Sequence, residues 1–95
     1  MAKTDIETLR FKYDEGVDRL KEAGLFERNV AHIKSGGIYW LYDIVFQEAT
    51  LELQVQYGDT FEPFSFTRPL EEFLRRFRPA TEAELEADLK KREDF

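Results

Sequence analysis

The chain lacks cysteine altogether and has one histidine and one tryptophan among its 95 residues. Without cysteine it cannot form a disulfide framework, a thiolate zinc site, an iron–sulfur cluster or a cysteine nucleophile. A single imidazole supports neither a transition-metal site nor base catalysis well. No apolar run approaches the roughly 20 residues of a membrane span, and the charged N-terminus is unlike a signal peptide. These absences predict a non-catalytic cytoplasmic protein with no metal, cofactor or membrane.

The composition is acidic and rich in aromatic residues. Asp and Glu number 20 against 14 Lys and Arg, which gives a net charge of −6. Non-specific binding to a nucleic-acid backbone needs a basic surface, so we expect no direct contact with nucleic acid. Hydrophobic residues make up 42 % of the chain and aromatic residues 15 %, enough for the core of one small domain over residues 1–95.

Hydrophobic spacing divides this domain into three sections. Residues 1–29 hold a helix from Thr4 to Gly24, opened by a capping box at Thr4 to Glu7 and closed by Gly24. Residues 30–78 form a β-rich core that ends in a short helix reaching Arg76. Its predicted strands cover residues 30–34, 38–46, 51–57 and 61–67. Residues 79–95 form an acidic helix opened by a second capping box at Thr81 to Glu84.

This order of elements predicts an α+β fold. The N-terminal helix would pack on a small, bent antiparallel sheet, an SH3-like half-barrel of about four strands, with two short helices following. The strand 38–46 is a nearly continuous apolar run, so both of its faces should be covered. Strict alternation would place Trp40, Tyr42 and Phe46 on one face and Tyr39 on the other.

Three segments of the middle section resemble a small family of uncharacterised domains found in short bacterial and phage proteins. The family pattern His-x-Lys-x-Gly-x-x-Tyr is similar to residues 32–39, its Thr-Leu-Glu-Pro-x-Val-x-Tyr segment to residues 50–57, and its Trp-x-Arg-Pro-x-x-x-Phe segment to residues 66–73. Leu53 stands in place of the family's usual Pro, and Phe66 in place of its Trp. The resemblance covers residues 31–78 and implies a compact β-rich domain in a phage or bacterial setting, without any activity.

Four polar residues in or beside the apolar segments form a candidate ligand site: His32, Lys34, Tyr39 and Arg68. If the sheet brings them together, Arg68 and Lys34 could hold a phosphate or carboxylate, with His32 as a further donor. The structural alternative is an internal salt bridge between Asp43 and Arg68, with His32 capping a turn.

A second set of residues is a candidate for contact with a partner. Trp40, Tyr42 and Phe46 are of the types favoured as interface anchors, although they could equally be core residues. Glu82 and Glu86 belong to an acidic segment that could imitate a phosphate backbone, although a solvated helix has the same composition. A two-fold dimer is expected if the aromatic strand is left uncovered.

These features support three hypotheses about function. The first is a non-catalytic binding protein, a phage accessory protein that binds and inhibits a host defence protein in the host cytoplasm. Anti-CRISPR proteins are similar in size and charge only. The second is a binder of a small anionic ligand or nucleotide, and the third is an acidic DNA mimic.

Overall fold

The computed structural model describes residues 6–93, which contain three helices and five strands. In chain order the elements are α1 (Ile6–Glu22), β1 (Asn29–His32), β2 (Ile38–Phe46), β3 (Leu53–Gly58), β4 (Phe66–Pro69), α2 (Leu70–Arg76), β5 (Phe77–Pro79) and α3 (Glu82–Glu93). The strands form one open antiparallel sheet in the order β4-β3-β2-β1-β5. The predicted α+β class is therefore confirmed, with the N-terminal helix first, then the sheet, then the remaining helices.

The strand count differs from the prediction, and only β2 has the predicted bounds, since β1, β3 and β4 cover residues 29–32, 53–58 and 66–69. A fifth strand, β5, follows α2 without a loop and pairs with β1, where the sequence predicted only the end of a helix at Pro79. Strand β4 begins at Phe66 and not at Phe61, because residues 59–65 form the connection from β3. The SH3-like half-barrel is not confirmed, since the sheet is open.

The helix signals in the sequence lie where they were predicted. Gly24 adopts a positive φ of 74°, and the Leu25 amide donates to the Leu20 carbonyl at 2.9 Å, which closes α1. Before α3, the Glu84 amide donates to the Thr81 hydroxyl at 3.1 Å, and the Thr81 amide donates to the Glu84 carboxylate at 3.0 Å. This capping box is confirmed. The box at Thr4 to Glu7 begins outside the described residues.

Strand β2 contains a β-bulge that reverses its alternation. Leu41 pairs with Tyr57 of β3, but the next pair is Asp43 with Gln56, so Tyr42 is an extra residue on β2. An extra residue moves every later side chain of the strand to the opposite face. The sequence gives no clear sign of this bulge, because every residue from Ile38 to Phe46 except Asp43 is apolar or aromatic.

The bulge overturns one prediction about the aromatic strand. Tyr39 before it and Phe46 after it both pack against the hydrophobic core, whereas Trp40 lines a groove on the other side of the sheet. Tyr42 lies at the bulge itself and is exposed. The prediction that Trp40, Tyr42 and Phe46 share a face opposite Tyr39 is therefore wrong.

The core lies on one face of the sheet and α3 on the other. Its buried residues come from α1, the segment after it, β1, β2, β3, α2 and β5: Leu20, Leu25, Val30, Leu41, Ile44, Leu53, Val55, Tyr57, Leu70, Phe73 and Phe77. An ion pair between Arg19 and Glu71 joins α1 to α2 above this core. Helix α3 has no buried residue and sits beside Trp40 on the opposite face. None of the helices within residues 6–93 is long and apolar enough to cross a membrane.

Candidate functional site

Three of the four predicted ligand residues converge on one aromatic ring. The ring centroid of Phe77 lies 5.1 Å from that of His32 and 6.0 Å from that of Tyr39. The guanidinium carbon of Arg68 lies 5.4 Å from the same centroid. These residues come from β1, β2 and β4. They meet at Phe77, which is the first residue of β5 and directly follows α2. The pairing of β1 with β5 sets His32 opposite Phe77.

The fourth residue, Lys34, lies in the turn between β1 and β2. The ring nitrogen Nδ1 of His32 accepts a hydrogen bond from the Ser35 amide at 3.2 Å, so the turn-capping interpretation of His32 is confirmed. The Ile33 amide donates to the Arg76 carbonyl at 2.9 Å. The exposed turn that carries Lys34 therefore lies beside the C-terminal end of α2.

The guanidinium of Arg68 is held by aromatic rings and by no hydrogen bond within residues 6–93. Its guanidinium lies over the rings of Tyr57 and Phe77, 6.0 and 5.4 Å from their centroids, and its side chain is 25 % exposed. The closest carboxylate oxygen among residues 6–93 belongs to Glu72, at 3.9 Å, which is too far for a hydrogen bond. Glu72 also pairs with Arg76 at 3.2 Å, so two guanidinium groups share one carboxylate.

The predicted salt bridge between Asp43 and Arg68 is wrong. The bulge turns Asp43 toward α1, where its carboxylate accepts a hydrogen bond from the Ile44 amide at 2.7 Å. Burial raises the pKa of Tyr13 above its ordinary value, and the negative charge of Asp43 raises it further. Asp43 is thus a neighbour of α1 and takes no part in the Arg68 site.

Arg68 differs from the other half-buried arginines among the described residues. Arg19 forms a bidentate pair with Glu71. Arg92 donates to Asp59 at 2.7 Å and to Asp88 at 3.0 Å. The guanidinium of Arg68 donates to no side chain or carbonyl within residues 6–93, although a half-buried guanidinium normally has such partners. Its N–H donors are available to a ligand.

Exposed phenylalanines extend the site along the outer strand. Phe64 and Phe66 are 54 % and 46 % exposed, and their ring centroids are 5.8 Å apart. Phe66 pairs with Tyr57, and Arg68 pairs with Val55, so both side chains lie on the core side of β4. We call Phe64, Phe66, Thr67 and Arg68 the β4 surface. Sequence reasoning singled out Arg68 but not the phenylalanines, because residue type and spacing do not show that the side chains of Phe64 and Phe66 are left exposed.

The predicted partner-binding residues do not form one surface. Trp40 is half-buried in a groove of about 460 Å³ between the sheet and α3, Tyr42 is exposed at the bulge, and Phe46 packs on the core. Glu82 and Glu86 are exposed on α3. The structure brings no two of the three aromatic residues onto a common exposed face.

Helix α3 is attached to the sheet by ion pairs. Arg78 donates to both carboxylate oxygens of Glu84 at 2.6 and 2.7 Å, and together with the Thr81 amide it lowers the pKa of Glu84 to about 2. Arg92 lies 4.5 Å from the ring centroid of Phe61 and binds Asp59 and Asp88. Two of the acidic residues of α3 are therefore paired with arginines, which interrupts the line of negative charge that a DNA mimic would present. We call helix α3 together with Arg78, Asp59 and Phe61 the α3 region.

In the described part of the chain, no group of three or more His, Asp or Glu side chains is arranged to hold a metal ion. Fold and site together define a small α+β protein with an aromatic and arginine-bearing edge strand. No family model, curated protein or solved structure matches the chain at a significant level. The resemblance of residues 31–78 to small bacterial and phage domains stays a prediction.

Proposed function

We propose that this protein is a non-catalytic binding protein that docks another protein on the β4 surface. The observation that carries the proposal is the exposure of Phe64 and Phe66, at 54 % and 46 %, beside Arg68, whose guanidinium has no hydrogen-bond partner in the described part of the chain. Aromatic residues and arginine are enriched at the centres of protein interfaces, where they contribute most of the binding energy. In the phage or bacterial setting that the resemblance implies, the partner would be a host protein that this chain inhibits.

The experiment compares the unsubstituted protein with two variants, each of which removes exposed aromatic side chains from a different surface. The double variant Phe64→Ser/Phe66→Ser alters the β4 surface, and Phe11→Ser alters α1, where Phe11 is 71 % exposed. Each variant is immobilised and incubated with host lysate, in parallel with the immobilised unsubstituted protein. We expect a stoichiometric partner to be retained by the unsubstituted protein and by Phe11→Ser, and lost from the double variant. Equal retention by all three would contradict the proposal.

A second candidate function is binding of a small anionic ligand or nucleotide. It is favoured by the convergence of His32, Tyr39 and Arg68 on Phe77, with the turn of Lys34 beside α2. A ligand present at 100 times its dissociation constant should add about 2.7 kcal/mol to the free energy of unfolding. Thermal-shift measurements with nucleotides test this. A shift that persists in Arg68→Ala would place the ligand elsewhere.

A further inference from the structure

One side of β4 has no partner strand within residues 6–93. In the spatial order of the sheet, β4 is the strand at one end, and it pairs with β3 on one side only. No strand within residues 6–93 covers its other side, where alternate residues direct amide and carbonyl groups away from the sheet. Such an edge can accept one more strand from a partner through main-chain hydrogen bonds. Because β4 has four residues and ends in Pro69, those bonds alone would be few, and side chains must supply specificity.

The charge around Arg68 favours an acidic partner. The chain as a whole carries −6, but Arg68 and Arg76 face the single carboxylate of Glu72. The guanidinium of Arg68 is fixed over Tyr57 and Phe77, so its N–H fork is oriented in advance. A carboxylate can accept two parallel hydrogen bonds from such a fork.

Phe66 and Arg68 also determine the spacing between the two side chains of a partner segment that would contact them. They lie two residues apart on the same face of β4, as their pairing with Tyr57 and Val55 shows. In a strand added alongside, residues two apart likewise share a face, about 7 Å from each other. A segment that matches both side chains therefore has an acidic residue two positions from an apolar one.

We infer that the β4 surface binds an extended peptide segment that adds a strand to the sheet, with a carboxylate on Arg68 and an apolar side chain on Phe64 and Phe66. This inference rests on the proposed function and specifies the partner segment. A small anion would satisfy Arg68, but it would leave the phenylalanines and the strand edge uncovered.

The test is selection from a random dodecapeptide display library on the immobilised protein. We expect enrichment of peptides with Asp or Glu two positions from an apolar residue. The best peptide is then synthesised with its acid unchanged, with the acid replaced by its amide, and with methyl groups on alternate backbone nitrogens. Replacing the acid should weaken binding about tenfold or more. Backbone methylation should weaken binding at every second residue only, as expected of a paired strand.

Variants of the protein locate the bound peptide. Arg68→Gln should weaken binding about tenfold or more, whereas Arg92→Gln removes the same charge on α3 and should change binding by about twofold at most. Circular dichroism verifies that both variants fold, and Phe66→Ser gives an independent loss of binding if Arg68→Gln does not fold. Failure to enrich acidic peptides, or equal binding by Arg68→Gln, would overturn the inference. Free phosphate that competes at the concentration of the peptide would reassign Arg68 to a small anion and also overturn it.

The two proposals fail in different ways. If a lysate partner is lost from Phe64→Ser/Phe66→Ser but no acidic extended peptide binds, the protein-binding function holds and the strand-addition inference is wrong. If peptides bind at Arg68 but no partner depends on Phe64 and Phe66, the proposed function fails instead.

Discussion

In the α3 region every arginine is matched by carboxylates, whereas at the β4 surface a half-buried arginine donates to no described residue. Arg78 and Arg92 each donate at least two hydrogen bonds to acidic side chains, with distances of 2.6 to 3.0 Å. Arg68 rests on aromatic rings and lies 3.9 Å from its nearest carboxylate. The difference separates arginines whose hydrogen bonds are used within the fold from one whose donors are free for a ligand.

The same contrast extends to the apolar side chains of the two regions. Phe61, in the α3 region, is exposed but has the guanidinium of Arg92 over its ring at 4.5 Å. The rings of Phe64 and Phe66 lie beside each other, Phe66 also lies beside Tyr57, and both phenylalanines are exposed. We therefore expect substitutions in the α3 region to change stability and substitutions at the β4 surface to change binding.

The largest effect is expected at Phe77, which lies in the core beneath the β4 surface. Its ring is 3 % exposed, stacks on Phe73 with 4.3 Å between centroids, and lies beneath Arg68. Phe77→Ala should lower the free energy of unfolding by about 3–5 kcal/mol, because it leaves a cavity in the core. Urea denaturation measures this change. A loss below about 1 kcal/mol would mean that the ring is not part of the core.

A smaller effect is expected at Gly58, where β3 leads into the connection to β4. A Cβ atom here would lie 3.1 Å from the carbonyl oxygen of Phe64 and 3.2 Å from the Cα of Ser65, both backbone atoms. Gly58→Ala should therefore displace the segment that carries the phenylalanines and cost about 1–3 kcal/mol. Amide chemical shifts should change at residues 64–66 and stay constant in α3. Unchanged stability would contradict this close packing.

The paired variants Arg92→Gln and Arg68→Gln test the comparison itself. The Arg92→Gln variant loses the hydrogen bonds to Asp59 and Asp88 and the contact with Phe61. Its free energy of unfolding should therefore fall by about 1–2 kcal/mol. Arg68→Gln should cost about 0.5 kcal/mol, since it loses ring contacts and the 3.9 Å ion pair with Glu72 but no hydrogen bond. Trp40, the single tryptophan, lines the groove under α3, so its fluorescence should respond to Arg92→Gln alone. Equal costs would remove the distinction between the two arginines.

The smallest effect is the pH dependence of the α3 region. Arg78 and the Thr81 amide lower the pKa of Glu84 to about 2. Burial by itself would raise the pKa of Asp59, but the Phe61 amide and the Arg92 guanidinium hold it below its ordinary value. A carboxyl with a lowered pKa stabilises the fold above its unfolded pKa of about 4, and loses this contribution as the pH falls.

We therefore expect the free energy of unfolding to fall between about pH 5 and pH 2, with a shallower slope in Glu84→Gln. Denaturation at a series of pH values measures both slopes. Identical slopes would show that the pair of Arg78 and Glu84 contributes nothing to stability.

The sequence predicted helices and strands where local signals are strong. The capping box at Thr81, the stop at Gly24 and the limits of β2 at residues 38–46 follow from residue type and spacing. Strand β5 was missed because three residues directly after a helix, including Pro79, have no periodicity of their own. The bulge at Tyr42 was missed because, apart from Asp43, strand β2 is apolar or aromatic on both faces, so no alternation reveals the shift.

The candidate site was predicted only in part, because residue type indicates which side chains are unusual but not how the sheet brings them together. His32, Tyr39 and Arg68 were selected as polar or amphipathic residues in an apolar setting, and the sheet brings them to Phe77. Their meeting depends on β5, which fixes Phe77 opposite His32 and has no sequence signal. The exposure of Phe64 and Phe66 depends on strand order, a long-range property that composition and spacing do not encode.

The most direct test of the account is the affinity of the selected acidic peptide for Arg68→Gln and Arg92→Gln, measured by titration calorimetry under one set of conditions. Both variants lose one positive charge, so non-specific electrostatic effects are matched. The account predicts that Arg68→Gln weakens binding about tenfold or more while Arg92→Gln changes it by about twofold at most. Equal losses in the two variants, or a larger loss in Arg92→Gln, would contradict the assignment of binding to the β4 surface.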